Sequence, residues 1–170
     1  KQGVRRFAFD SEQELDKLTE LAPGSDVYMR LAVSESGSRF SMSEKFGVSS
    51  DQAARLALKA KELGLNVVGI AFHVGSQAEN SGQWRTAIAE ASSVIRELED
   101  FGVKLDFLNI GGGFPESYLD GSIPALADIA EEVKDAMEAL PYAMKLYVEP
   151  GRRLVANSAT LTTRVIARLE

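Results

Sequence analysis

The sequence predicts an α/β fold built on a parallel β-sheet. Short apolar runs recur along the 170 residues ("VRRFAF", "DVYMRLAV", "NVVGIAF", "LDFLNI", "MKLYV"), and amphipathic stretches long enough for crossover helices separate them. That rhythm is the signature of βαβ units. "NVVGIAF" is also almost continuously apolar, as expected of a strand covered on both faces.

Taken in order, "VRRFAFDS" reads as a strand ending in a polar turn. "SEQELDKLTEL" follows as a helix, with Ser11 as N-cap and Glu14 in the capping-box position. "DVYMRLAV" is the second strand. "SSDQAARLALKAKELGL" is a helix with Ala54, Leu56, Leu58, Ala60 and Leu63 as its apolar residues and Gly64 as its C-terminal cap. "NVVGIAFHVGS" is a strand, and "SGQWRTAIAEASSVIRELEDFG" a long helix. "LDFLNIGGGF" runs from a strand into a glycine turn. "IPALADIAEEVKDAMEAL" is a helix with Pro124 near its first turn. "MKLYVEPG" is another strand, and "ATLTTRVIARLE" closes the chain as a further β-rich segment. This pattern alone leaves a barrel and an open doubly wound sheet as alternatives. Both gather ligands at the C-terminal ends of their strands.

Composition narrows the function. A chain with 45% hydrophobic residues can build one sizeable core. Its 19 basic and 25 acidic residues give a net charge of -6, against the basic excess of a nucleic-acid or membrane surface. No apolar run approaches the roughly 20 residues of a membrane span, and no signal-peptide core is present. With no cysteine and one histidine, disulfides, thiolate chemistry and multi-histidine zinc sites are excluded. The expected setting is cytoplasmic, with a small-molecule ligand and neither nucleic acid nor membrane as partner.

The strand ends carry the chemistry: Asp10, Arg30, His73 with Ser76, Gly111 to Gly113, and Glu149 with Arg152. Three glycines after a strand serve either a tight βα loop or a nest of backbone N–H groups around an anion. Ser76 is either a turn residue or a hydroxyl donor. Arg152 offers the planar fork that matches phosphate. The only histidine, His73, fits either a satisfied core position or a ring stacked on a planar ligand. Glu149 ends an apolar strand, where a carboxylate needs a partner such as a protonated ring nitrogen or an arginine. Arg30 could bridge to Asp10 or Glu149. Taken together, a phosphate cradle, a flat ring and a carboxylate for a heteroaromatic nitrogen are what pyridoxal 5'-phosphate (PLP) requires.

In their order and spacing, "FHVGSQ", "LNIGGGFP" and "VEPGRRLVANSATL" resemble the ornithine/diaminopimelate/arginine decarboxylase family, the fold-type III PLP enzymes, closest in look to ornithine decarboxylase-like members. "FDSEQEL", "MRLAV" and "EKFGV" match in turn. The resemblance implies a PLP-binding (β/α) barrel of the alanine racemase/ornithine decarboxylase type, present as a partial barrel. It places His73 on the pyridine ring, Ser76, Gly111, Gly112, Gly113 and Arg152 around the phosphate, Glu149 at the pyridine nitrogen and Arg30 near the cofactor. A carboxylate at that nitrogen favours decarboxylation over racemisation, because it keeps the cofactor a strong electron sink. The implied substrate is a basic amino acid, with diaminopimelate as an alternative, and a homodimer is the implied assembly.

The family's Schiff-base lysine lies in a "YAxK" motif ahead of the segment matching "FDS", and no residue here occupies that place. "PYAMK" matches it letter for letter, but Lys145 lies about 13 Å before Glu149 along the same strand, at roughly 3.3 Å per residue. It is read as an ordinary strand lysine. Residues 1–157 are therefore assigned to the barrel, and 158–170 to an exit strand leading to a C-terminal β-domain. The chain reads as a fragment of a longer enzyme, inactive alone, with two open sheet edges inviting a second copy. Two rivals remain: a non-catalytic regulatory homologue, and a barrel enzyme binding a phosphorylated substrate without PLP.

Overall fold

The computed structural model describes residues 3–40, 45–118 and 123–168. Five strands form one parallel sheet: β1 (Arg6–Phe9), β2 (Asp26–Arg30), β4 (Asn66–Ala71), β6 (Phe107–Asn109) and β7 (Lys145–Tyr147). Their spatial order follows their chain order without reversal. A doubly wound sheet reverses direction at a switch point. Monotonic order with right-handed crossovers instead places every helix on one side, as in a barrel wall. That resolves the alternative left open by the pattern.

Four helices fill the connections: α1 (Glu12–Leu21), α2 (Ser50–Glu62), α3 (Gly82–Asp100) and α4 (Leu126–Glu138). Ser11 caps α1 by accepting the N–H of Glu14 at 3.3 Å, as its sequence predicts. Gly64 ends α2 in the left-handed region, its N–H donating to Lys61 while that of Leu65 donates to Ala60, both at 3.0 Å. Pro124 lies ahead of α4, whose N-cap is Ala125, so that helix starts later than its sequence suggests.

The two faces of the sheet differ in chemistry. On β2, Val27 and Met29 are fully buried in the core shared with the helices, whereas Tyr28 and Arg30 alternate onto the opposite, partly open face. There Tyr28 meets Phe107 edge-on at 5.6 Å, Phe107 meets Tyr147 at 4.9 Å, and the Arg6 guanidinium lies 5.1 Å from the Phe107 ring centre. The long helix α3 supplies the core with Trp84, Ile88, Ala91, Ile95 and Leu98, all at most 1% exposed. Each large apolar side chain so buried contributes about 1.5–3 kcal/mol.

Three features depart from the sequence reading. Ser76 lies in a strand, because β3 (Ser38–Phe40) and β5 (Ser76–Ala78) pair antiparallel at the rim, with Phe40 opposite Ser76. A short helix, α5 (Gly151–Val155), follows Glu149. The segment expected as an exit strand makes no strand pairing over 158–168, and Leu161, Val165 and Ile166 are 84–94% exposed. A strand needs a partner for its ladder, and none is offered there by the described residues.

Candidate functional site

The register of the parallel strands sets Arg30, Ala71, Asn109 and Tyr147 side by side. Beyond that row the ladder continues through Ile110 donating to Tyr147 (3.0 Å) and Glu149 donating to Gly111 (2.8 Å). Alternation then carries His73 and Glu149 to the same face as Asn109. There a cavity of about 210 Å³ opens, lined by His73, Ser76, Gly112, Gly113, Glu149 and Arg152 among others. Six of the eight residues that the resemblance places at the cofactor line it. Gly111 lies outside the lining, and Arg30 stands apart, with its guanidinium 5.0 Å from the Phe46 ring centre. A larger groove of about 690 Å³ between α4 and β7 is mainly apolar, so the chemistry belongs to the smaller cavity.

His73 accepts the Gly75 N–H at Nδ1 (2.9 Å), which puts the proton of its neutral form on Nε2. Burial, and then the charge of Arg30, lowers its pKa against the opposing pull of Glu35 and Glu149, so the ring is neutral near pH 7. Its Nε2 edge faces Gly112, where an added Cβ would lie 3.0 Å away. Gly111 and Gly113 have φ of +63° and +96°, and a Cβ would stand 2.1 Å from the Phe72 carbonyl or 2.5 Å from that of Gly75. Only glycine builds this turn.

Arg152 stands in the first turn of α5 and donates to Ser76 Oγ (3.2 Å) and to the Tyr118 hydroxyl (2.9 Å). Glu149 accepts Asn109 Nδ2–H at 2.7 Å. Asp10, at the end of β1, does not bridge to Arg30; its carboxylate accepts the Gly47 N–H at 2.9 Å. Of the "EKFGV" stretch, Glu44 lies outside the described residues.

Several site residues escaped the sequence reading. Gln77 has φ +58° and pairs with the Glu116 backbone in both directions, at 2.8 and 2.9 Å. A non-glycine residue in that region signals strain held by its surroundings. Arg153 donates to Pro115 and pairs with Glu116, both at 2.9 Å. Trp84 packs its ring 4.9 Å from Phe114, which fixes the exit of the glycine turn. The only sequence signal for these is adjacency: Gln77, Phe114 and Arg153 each touch a motif already singled out.

Residues 1–156 match the family model described as "Pyridoxal-dependent decarboxylase, pyridoxal binding domain". The chain belongs to this family. Among curated relatives of the decarboxylase family, lysine/ornithine decarboxylase of Selenomonas ruminantium is 36% identical over 96% of this chain and 42% of its own length. Antizyme inhibitor 2 of Xenopus laevis is 35% identical over 100% of this chain and 38% of its own. A solved structure of an SrLDC mutant in complex with PLP superimposes with a TM-score of 0.83 at 36% identity, covering 88% of this chain and 39% of that one. The chain thus spans about two fifths of the length of the relatives it matches.

The pyridoxal-binding barrel is therefore the fold, and PLP the cofactor of the domain. The cavity suits it on structural grounds. The glycine turn leaves open the space that Cβ atoms would fill beside His73, and a guanidinium, a hydroxyl, a neutral ring and a carboxylate face one small volume. No helix among the described residues is long and apolar enough to cross a membrane.

Proposed function

We propose that this chain is the cofactor-holding portion of a decarboxylase acting on a basic amino acid of the ornithine or lysine type. The carrying observation is that a single cavity is lined by His73, Ser76, Gly112, Gly113, Glu149 and Arg152. When bound, PLP supplies an electron sink for the negative charge left on the α-carbon as CO2 departs. The residues here bind and orient it. Arg152 and Ser76, already within hydrogen-bond distance of each other, offer donors to the phosphate, and the backbone N–H groups of the glycine turn add a nest. The neutral His73 ring gives a flat face without adding positive charge. Glu149 receives the ring N–H and holds that proton in place. Arg30, outside the cavity lining, adds positive charge that His73 feels and that favours its neutral form.

Lys145 opens β7, where its N–H donates to Asp106 at 3.0 Å, four residues before Glu149. It remains a strand lysine in this reading. Identity to a relative named as a lysine/ornithine decarboxylase supports the basic substrate and a polyamine product such as putrescine. A homodimeric, cytoplasmic enzyme completes the proposal, with residues 158–170 leading towards a further domain. A second reading, a regulatory protein, draws on the likeness to antizyme inhibitor 2. The complete polar set around the cavity favours the catalytic one.

The test is titration with PLP followed by borohydride reduction and peptide mass mapping. Binding lost in Glu149→Ala and Arg152→Ala, with no label on Lys145, supports the proposal. Reductive labelling of Lys145 overturns the assignment of that residue, and absence of binding overturns the site.

A further inference from the structure

Glu149 is held in a way that a free strand-end carboxylate is not. Asn109, only 7% exposed, has both ends of its amide committed: Oδ1 accepts the Gly111 N–H at 2.9 Å, and Nδ2 donates to Glu149 Oε1 at 2.7 Å. The Gly111 N–H can only donate, so it fixes which end of the amide is oxygen and leaves nitrogen for the carboxylate. Gly111 is itself fixed, since its carbonyl accepts the Glu149 N–H at 2.8 Å. The ends of β6 and β7 are thereby stapled by a closed set of three hydrogen bonds.

We infer that Asn109 is a positioning residue that sets the cavity's selectivity for a ring bearing an N–H. Its amide commits one oxygen of Glu149 and leaves Oε2 as the acceptor for a ligand donor. This inference rests on the assignment of Glu149 to the ring nitrogen. The residue type is decisive. Aspartate would keep the bond to Gly111 but set two carboxylates at hydrogen-bond distance, where like charges repel. Leucine would approximate the shape but leave the buried Gly111 N–H without its acceptor.

The experiment is calorimetric titration of the full chain at pH 8 with pyridoxamine 5'-phosphate, which lacks the aldehyde that labels surface lysines. The comparison ligand is its 1-deaza analogue, in which a ring C–H replaces the nitrogen. The unsubstituted protein prefers the nitrogen-containing ligand. In Asn109→Asp and Asn109→Leu that preference falls about tenfold, the size of one hydrogen bond to a charged group, while affinity for the deaza analogue holds. Asn109→Asp, which retains the Gly111 partner, guards against misfolding in Asn109→Leu. A preference that survives in both variants overturns the inference alone. So does an equal loss for both ligands, because that is what a merely structural role produces. Equal binding of the two ligands by the unsubstituted protein overturns the assignment of Glu149, and the inference with it.

Discussion

Replacing Gly111 by alanine tests whether the glycine turn is shaped by the cavity or only by the loop. Gly111 and Gly64 share a left-handed backbone, with φ of +63° and +78°. Alanine at either site meets the same conformational penalty, about 1–2 kcal/mol. Their surroundings differ sharply. A Cβ at Gly64 meets nothing within 4 Å, whereas at Gly111 it stands 2.1 Å from the Phe72 carbonyl oxygen. Ordinary contact begins near 3.4 Å, so backbone must move by about 1 Å. Phe72 is tied by its N–H to Asn109, and Gly111 by its carbonyl to Glu149, so neither yields alone. Overpacking of this kind adds about 1–3 kcal/mol. Gly64→Ala should therefore cost about 1–2 kcal/mol and Gly111→Ala about 2–5 kcal/mol, read from denaturant midpoints at constant slope. PLP affinity should fall only in Gly111→Ala. Equal destabilisation of the two variants, or unaltered PLP binding by Gly111→Ala, would refute the reasoning.

Other outcomes follow from the same geometry. The pKa of His73 is lowered in the fold, so the unfolded chain binds more protons between that depressed value and the ordinary 6.5, and stability should fall as pH drops through this window. His73→Gln should flatten that part of the profile, measured by thermal melts from pH 7 to pH 5. Trp84→Ala should cost about 3–5 kcal/mol, as for a large buried aromatic; because Trp84 packs on Phe114, PLP affinity should fall as well, seen by titration below the melting range. Arg152→Ala should weaken PLP far more than pyridoxal, which has no phosphate, in parallel titrations.

Much of this was legible because the determinants are local. The Ser11 cap, the Gly64 stop and the long helix α3 are written in neighbouring residues. The site was legible for a related reason: in a βα fold the ends of strands are marked by where apolar runs stop, and His73, Gly111–Gly113 and Glu149 stand at such stops. What stayed hidden depends on distant pairing. The β3–β5 ribbon joins segments 36 or more residues apart, and nothing in "SRF" or "SQA" announces a strand. Asn109 resembled an ordinary strand residue because its role requires both the left-handed turn at Gly111 and a carboxylate 40 residues away. The tail over 158–168 shows the converse, a β-rich composition that forms no ladder without a neighbour to complete it.

The monotonic order of the five strands also bears on how the chain assembles. Every strand of the parallel sheet after β1 pairs with the sheet strand that precedes it in the chain, so each βα step can dock on a surface that already exists. Closure entropy then grows by one short crossover at a time instead of through a single long loop. Within this sheet docking can proceed in chain order, and the rim that carries His73, the glycine turn and Glu149 is complete only once β7 is in place. Recognition of the cofactor is thus coupled to completion of this sheet, since Glu149 joins Asn109 and Gly111 only when β7 arrives.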